Sequence, residues 1–235
     1  MKLSAPIFRL KQQAKLMARH EQIPLHEAQD RIAQTEGFQR WSHLMATHTE
    51  TSIPSELKAT LTPGGLVLLA GRRYQGKTRV AFQMMAEALR AQQRCRYYSL
   101  EDTVADIDER WTAVGVSRPT KQLFAANTSD AISAEYIVGD CADQVSGVLI
   151  VIDYLQALDQ QRSKPPLHEQ VTALGKYARE TGAAILVLSQ IDRSFDPVSK
   201  PMPDKVDLRL PNPVDLAQFT ATCFIHDNKL VVSRP

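Results

Sequence analysis

The sequence predicts an α/β fold: a mainly parallel twisted sheet with helices on both faces, preceded by a small helical module. Three observations predict it. Residues 66–70, 148–152 and 184–188 are short runs that are apolar throughout, as expected of strands buried on both faces. Stretches with helical spacing alternate with them, the pattern of βαβ units in a parallel sheet. The first 46 residues carry helical spacing alone.

In that first stretch Ile7, Leu10, Ala14 and Met17 share one helical face. Pro24 suits the first turn of a second helix, with Leu25, Ala28 and Ile32 as its apolar stripe and Gly37 as its cap. Phe38, Trp41 and Leu44 follow at spacings of three. Residues 47–62 are rich in Thr, Ser and Pro, lack periodicity and read as a linker. Residues 63–235 then form the main domain. After the strand at 66–70, residues 77–90 read as a helix with Val80, Met84, Ala88 and Leu89 inward. A strand is expected at 95–99 and helices at 104–114 and 131–141, the latter with Ile132 and Tyr136 four apart. The strand at 148–152 is followed by a helix at 169–180, striped by Val171, Leu174 and Ala178, and by the strand at 184–188. Residues 192–213 hold five prolines and many charges and read as a long loop. Residues 223–225 and 230–232 are paired strands, turned at Asp227-Asn228.

Composition narrows the function classes. With 43% apolar and 23% charged residues the chain is an ordinary globular protein, and its net charge of +2 is too small to name a nucleic-acid partner. Cys95, Cys141 and Cys223 lie far apart, outside any zinc-like spacing, and read as reduced, buried thiols of a cytoplasmic protein. No apolar run is long enough to cross a membrane and the N-terminus lacks a secretory signal. Lys2, Arg9, Lys11, Lys15 and Arg19 occupy the first twenty residues without an acid, a pattern more common on a solvated helix face than at a nucleic-acid contact.

Gly71-Arg72-Arg73-Tyr74-Gln75-Gly76-Lys77-Thr78 matches G-x-x-x-x-G-K-[ST] at every fixed position, between a buried strand and an amphipathic helix. Gly71 and Gly76 let backbone N–H groups approach phosphate oxygens. The helix opening at Lys77 directs its positive end at the anion. Lys77 neutralises β- and γ-phosphate oxygens, and Thr78 offers its hydroxyl to Mg²⁺. These eight residues and the following Arg79 are the expected ATP contacts. The bland alternative is a glycine turn between strand and helix.

Three strand ends supply further chemistry. The run at 148–152 ends in Asp153, placed to hold Mg²⁺ through its hydration shell rather than simply to end a strand. Glu101 follows the strand at 95–99 and suits a general base that polarises the attacking water; an acid pair Glu101-Asp102 at a helix start is the plain reading. Gln190 follows the run at 184–188 and suits a γ-phosphate sensor, against the plain reading of a polar strand end.

On these residues the chain resembles the ATPase domain of DnaB-type replicative helicases, within the RecA-like class of P-loop NTPases. The phosphate loop, Tyr98-Ser99-Leu100-Glu101, Val151-Ile152-Asp153-Tyr154-Leu155-Gln156 and Leu188-Ser189-Gln190-Ile191-Asp192-Arg193 carry the resemblance, in matching order and spacing, from about Leu57 onward. It implies a RecA-like fold, Lys77 and Thr78 on phosphate and Mg²⁺, Glu101 on water, Asp153 on Mg²⁺, and Gln190 coupling nucleotide state to the next loop. That loop, from Arg193 to Arg209, faces single-stranded DNA in the family, whose members assemble as rings. The chain departs from the pattern in three places. Arg73 and Tyr74 stand where the family has Pro and Gly. The closing hairpin carries Lys229 in place of a basic finger pair. A short helical module replaces the family's large N-terminal domain.

The leading expectation is thus an ATP-hydrolysing DnaB-like DNA helicase or translocase. The alternative is an ATP-dependent regulatory or adaptor protein that switches without unwinding, favoured by the missing finger pair and the short module. A nucleotide or small-molecule kinase has little support, because no lid with paired arginines can be placed.

Overall fold

A computed structural model describes residues 3–5, 7–47, 55–116, 119–142, 147–159, 164–210, 212–227 and 229–234. The chain divides into two compact units, Met1–Ser52 and Ile53–Pro235. Much of the stretch expected to be a linker, and Asn228 of the expected hairpin turn, lie outside the described residues.

The first unit holds α1 (Ile7–Glu21), α2 (Leu25–Thr35) and α3 (Trp41–Thr47). Leu10, Ala14, Ala28, Ile32, Ala33 and Leu44 are buried together, so helical spacing located this small core. The Ile7 side chain lies outside the described ones. Leu25 does not join the stripe expected for it: it is exposed at the first position of α2. Pro24 stands one residue before the helix, its carbonyl accepting from the Glu27 and Ala28 amides. Gly37 follows α2 with φ +85°, the left-handed conformation that ends helices.

The second unit is a seven-stranded sheet in the order β3-β2-β4-β5-β1-β6-β7. Its elements run α4 (Ser55–Lys58), β1 (Leu66–Gly71), α5 (Lys77–Arg90), β2 (Cys95–Ser99), α6 (Val104–Ala113), β3 (Phe124–Asn127), α7 (Ala134–Asp140), β4 (Leu149–Asp153), α8 (Leu167–Thr181), β5 (Ala184–Gln190), β6 (Ala221–His226) and β7 (Lys229–Ser233). All neighbours pair in parallel except β6 and β7. The apolar runs are the central strands, and alternate residues feed two cores. Leu66, Leu68, Ile150, Ile152, Ile185 and Val187 pack with α7 and α8, while Val67, Leu69, Val151 and Leu186 pack with α5 and α6. A strand buried on both faces has no polar alternation, which is why these runs read as they do.

Four features differ from the sequence expectations. β3 is an added strand at the sheet edge; Phe124-Ala125-Ala126-Asn127 is only partly covered and carries neither alternation nor an apolar run. The helix expected from 131 starts at Ala134, because the Ser133 hydroxyl accepts from the Tyr136 amide and caps it there. Helix α4 lies within the expected linker, its Leu57 fully buried beside Val67 and Phe82. The stretch from 192 is not unstructured: Ile191 bridges Leu208, and Lys205–Asp207 is a 3₁₀ turn capped by Asp204.

Candidate nucleotide-binding site

Strand register assembles the site. Ser99 is paired with Asp153, Asp153 with Leu188, and Gly71 with Gln190. The phosphate loop, Glu101, Asp153 and Gln190 therefore come together at the carboxyl edge of four adjacent strands, where open α/β sheets bind ligands.

Within the loop, Gly76 has φ +90° and precedes α5 without any side-chain cap, leaving the first-turn amides of that helix to an anion. Gly71 is needed for a different reason. A Cβ there would stand 2.7 Å from the Ile225 carbonyl oxygen of β6, so its role is close approach to a neighbouring backbone. Tyr74 also takes a left-handed conformation, φ +66°, with its ring exposed. The family's glycine at this place fits that backbone, and here a tyrosine bears the strain.

Lys77 is buried, 8% exposed, and its Nζ donates to the carbonyls of Gly71 at 2.8 Å and Arg72 at 3.0 Å. Burial pulls its pKa down to about 8, against the attraction of Asp153 and Glu101. Thr78 Oγ1 donates to Asp153 Oδ2 at 2.8 Å. Asp153 is also buried, and burial raises its pKa. An underpaired lysine, a hydroxyl and a desolvated carboxylate form an oxygen-and-ammonium set suited to a Mg²⁺-bound polyphosphate: Thr78 and Asp153 for the cation, Lys77 and the loop amides for the anion. Two protein oxygens suffice for a cation that retains most of its water. Among the described residues no group of three or more His, Cys, Asp or Glu could hold a metal by itself.

The other loop residues each fasten a neighbour. Arg73 reaches Glu101 Oε1 at 3.2 Å, a pair open to solvent. Gln75 Oε1 accepts from the Asp227 amide at 2.8 Å, tying the loop to the hairpin end. Arg72 donates to the Arg193 and Phe195 carbonyls. Arg79 is half-buried on the first turn of α5. Glu101 and Asp102 separate in the fold. Ser99 Oγ accepts from both of their amides, and Thr103, not either acid, caps α6. Glu101 faces solvent at the sheet edge while Asp102 turns inward.

Sequence reasoning missed a buried network behind Asp153. The Tyr97 hydroxyl lies 2.6 Å from Asp102 Oδ2 and 3.1 Å from Asp153 Oδ2, and Arg110 grips Asp102 with Nε at 2.7 Å and Nη2 at 2.5 Å. Gln156, quoted above only as part of a motif, is buried beneath Gln190. Its Nε2 donates to Ser189 Oγ at 2.9 Å and to the Arg209 carbonyl at 2.5 Å, so it joins the end of β5 to the far end of the following loop. The signal for it was present: an amide next to a buried strand end must find partners. Arg110 had no sequence signal, because its partner is eight positions away across a helix start.

Comparison with known proteins agrees with this architecture. No protein-family model matches the chain. It is 27% identical over 139 residues to the DNA repair protein RadA of Halalkalibacterium halodurans and 30% identical over 137 residues to that of Brucella abortus. These matches take in 57% and 55% of this chain but only 29% of each RadA, so the chain spans under a third of the length of the curated relatives it matches. Among solved structures, the ATPase domain of a DnaB-family helicase superposes with a TM-score of 0.55 at 18% identity, covering 79% of this chain and 80% of that one. A DnaB-like replicative helicase, described with its interactions with primase, gives a TM-score of 0.53 at 16% identity, covering 92% of this chain and 64% of the other. The chain therefore has the RecA-like α/β fold of the DnaB-type helicase ATPase domains it resembles.

Proposed function

We propose that this chain binds Mg-ATP at Gly71 to Thr78 and hydrolyses it as a DnaB-like helicase or translocase-type protein. The observation that carries the reading is the Thr78–Asp153 hydrogen bond beside a buried, underpaired Lys77, with Glu101 on the next strand end. Bound Mg²⁺ would offset charge on the phosphates. Lys77 and the loop amides hold the phosphates, Thr78 and Asp153 hold the cation's shell, Glu101 accepts the proton of an attacking water, and Gln190 stands beside Gly71 to report the γ-phosphate. RadA and the DnaB-like helicase support a role on single-stranded DNA in a ring of copies, through the loop from Arg193 to Arg209. Three buried free thiols support a cytoplasmic setting, and among the described residues no helix is long and apolar enough to cross a membrane.

A second reading, an ATP-switched regulatory or adaptor protein, draws on the same loop. Its Arg193, Lys200, Lys205 and Arg209 are offset by Asp196, Asp204 and Asp207, and Lys200 is bound by two of these, at 2.6 and 2.8 Å. That is a weak electrostatic footprint for a phosphate backbone. Turnover measured with and without single-stranded DNA, for the unsubstituted chain, Lys77→Ala and Glu101→Gln, decides between them. The helicase reading requires turnover raised by DNA and lost in both variants, together with assembly beyond a monomer. Tight ATP binding with little hydrolysis supports the switch. Normal hydrolysis by Glu101→Gln overturns the assignment of the base.

A further inference from the structure

Arg72 occupies a variable position of the phosphate loop, yet it is bonded at both ends. Its backbone carbonyl accepts from Lys77 Nζ at 3.0 Å. Its guanidinium crosses to the segment after β5, donating through Nη2 to the Arg193 carbonyl at 2.9 Å and to the Phe195 carbonyl. The guanidinium carbon also stands 5.5 Å from the centroid of the Phe195 ring. Phe195 is buried, 3% exposed, and its ring meets His226 at the end of β6 edge-on, 5.2 Å between centroids.

The rest of the segment is fixed only at its stem. The Asp192 amide donates to the Asp207 carbonyl at 2.7 Å, the Arg209 amide to the Gln190 carbonyl at 3.0 Å, and Gln156 holds the Arg209 carbonyl. Beyond the stem, Phe195 is the buried anchor, and Val198 is 93% exposed. The anchor's position thus depends on a side chain of the phosphate loop.

We propose that Arg72 is the positioning residue that transmits occupancy of the phosphate loop to residues 193–209, an inference that rests on the reading of that loop as a nucleoside-triphosphate site. Lys77 cannot satisfy a phosphate and both carbonyls equally. When a phosphate draws the ammonium away, the Arg72 carbonyl loses its donor, and the peptide whose side chain clamps Phe195 is free to turn. The link is reciprocal: whatever fixes residues 193–209 shifts nucleotide affinity by the same factor. A single arginine makes both contacts, so the coupling needs no chain of intermediaries.

The test places a reporter on the segment. Val198→Cys, labelled with an environment-sensitive dye, offers an exposed thiol, whereas Cys95, Cys141 and Cys223 are buried and burial keeps their thiols protonated. A non-hydrolysable ATP analogue, saturating for each variant, should change the dye signal in the Arg72 protein. Arg72→Ala should cut that amplitude by about fivefold or more, and Arg72→Lys, which keeps the charge but not the planar fork, should leave an intermediate change. Phe195→Leu, outside the binding residues, should bind the analogue as before and lose about half of the amplitude; it carries the test if Arg72→Ala fails to fold by circular dichroism. Full amplitude in both Arg72→Lys and Phe195→Leu overturns the coupling, as does its loss in Gln190→Ala with none in the Arg72 variants. If the unsubstituted chain binds no fluorescent ATP analogue, the nucleotide reading falls and the coupling with it. Binding with a signal indifferent to Arg72 and Phe195 sinks the coupling alone.

Discussion

Thr78 Oγ1 and Asp153 Oδ2 are joined by a 2.8 Å hydrogen bond across 75 residues of sequence. The bond locks the first turn of α5 to the end of β4, so the two oxygens assigned to Mg²⁺ face one point. Thr78→Ser keeps a hydroxyl there, and Thr78→Val keeps the shape without it. Hydrolysis should fall by about 100-fold or more in Thr78→Val and Asp153→Asn and stay within about tenfold in Thr78→Ser. Turnover across a Mg²⁺ titration checks this, with the midpoint displaced upward in the two damaging variants. Equal turnover in Thr78→Val and the unsubstituted chain would remove Thr78 from the cation site.

Lys77 gives a pH dependence whose sign follows from burial. Its folded pKa, about 8, lies below the ordinary 10.5. Below about pH 8 the lysine is charged in both folded and unfolded chains, and the folded chain carries the whole desolvation cost. Between these values the folded lysine loses its proton first, so this group's contribution to stability rises with pH and levels off above 10.5. Nucleotide binding runs the other way, because a phosphate needs the ammonium. Affinity for a fluorescent nucleotide should decline as pH passes about 8, approaching tenfold per pH unit at most. Lys77→Met should bind weakly without that decline and should stabilise the nucleotide-free chain by about 1–3 kcal/mol in urea unfolding.

Arg110 supports the site from behind. Asp102 is nearly inaccessible, and its two oxygens are held by Arg110 and Tyr97, with Asp153 on the other side of the tyrosine hydroxyl. Removing the guanidinium leaves a buried carboxylate uncompensated next to a second one. Arg110→Ala should cost about 2–3 kcal/mol, less than for a fully buried pair because the arginine reaches solvent. Its Tm should fall by about 5 °C or more by calorimetry. Arg110→Lys should recover part of the loss, since it restores charge without the two-pronged geometry. A Tm unchanged in Arg110→Ala would mean that Asp102 is satisfied elsewhere.

What could be read from sequence divides along physical lines. Gly76, Lys77, Thr78 and Asp153 were legible because their chemistry needs fixed residue types at fixed spacing beside an apolar run. The central strands were legible because burial on both faces removes every polar residue. β3 was not: an edge strand is half-covered, so Phe124-Ala125-Ala126-Asn127 is under no such constraint. Side-chain partnerships between distant elements were not legible either. Arg72 with Phe195, Arg110 with Asp102 and Gln156 with Arg209 each depend on strand order, which periodicity does not encode. Gly71 shows the two together. Its identity follows from the motif, but its contact with β6 follows only from the sheet.

That contact makes Gly71 the position where a minimal substitution separates packing from phosphate binding. A methyl group at Gly71 would sit 2.7 Å from the Ile225 carbonyl oxygen and 2.8 Å from its Cγ2, below any normal separation. The oxygen belongs to the backbone of a paired strand, so relief requires β6 or β1 to move. Gly71→Ala should therefore destabilise the chain by about 1–3 kcal/mol, the usual range for overpacking. At Gly76 the same test gives a contrasting result. A Cβ there meets nothing within 4 Å, and the cost of Gly76→Ala, about 1–2 kcal/mol, comes from φ +90° alone. Trimming the clashing neighbour distinguishes them. Ile225→Leu removes the Cγ2 branch while leaving the carbonyl, so it should barely rescue Gly71→Ala and should not interact with Gly76→Ala. Unfolding midpoints for the two double-mutant cycles measure this. A rescue of Gly71→Ala by more than about half would show that the side chain, and not the β6 backbone, sets the limit at Gly71.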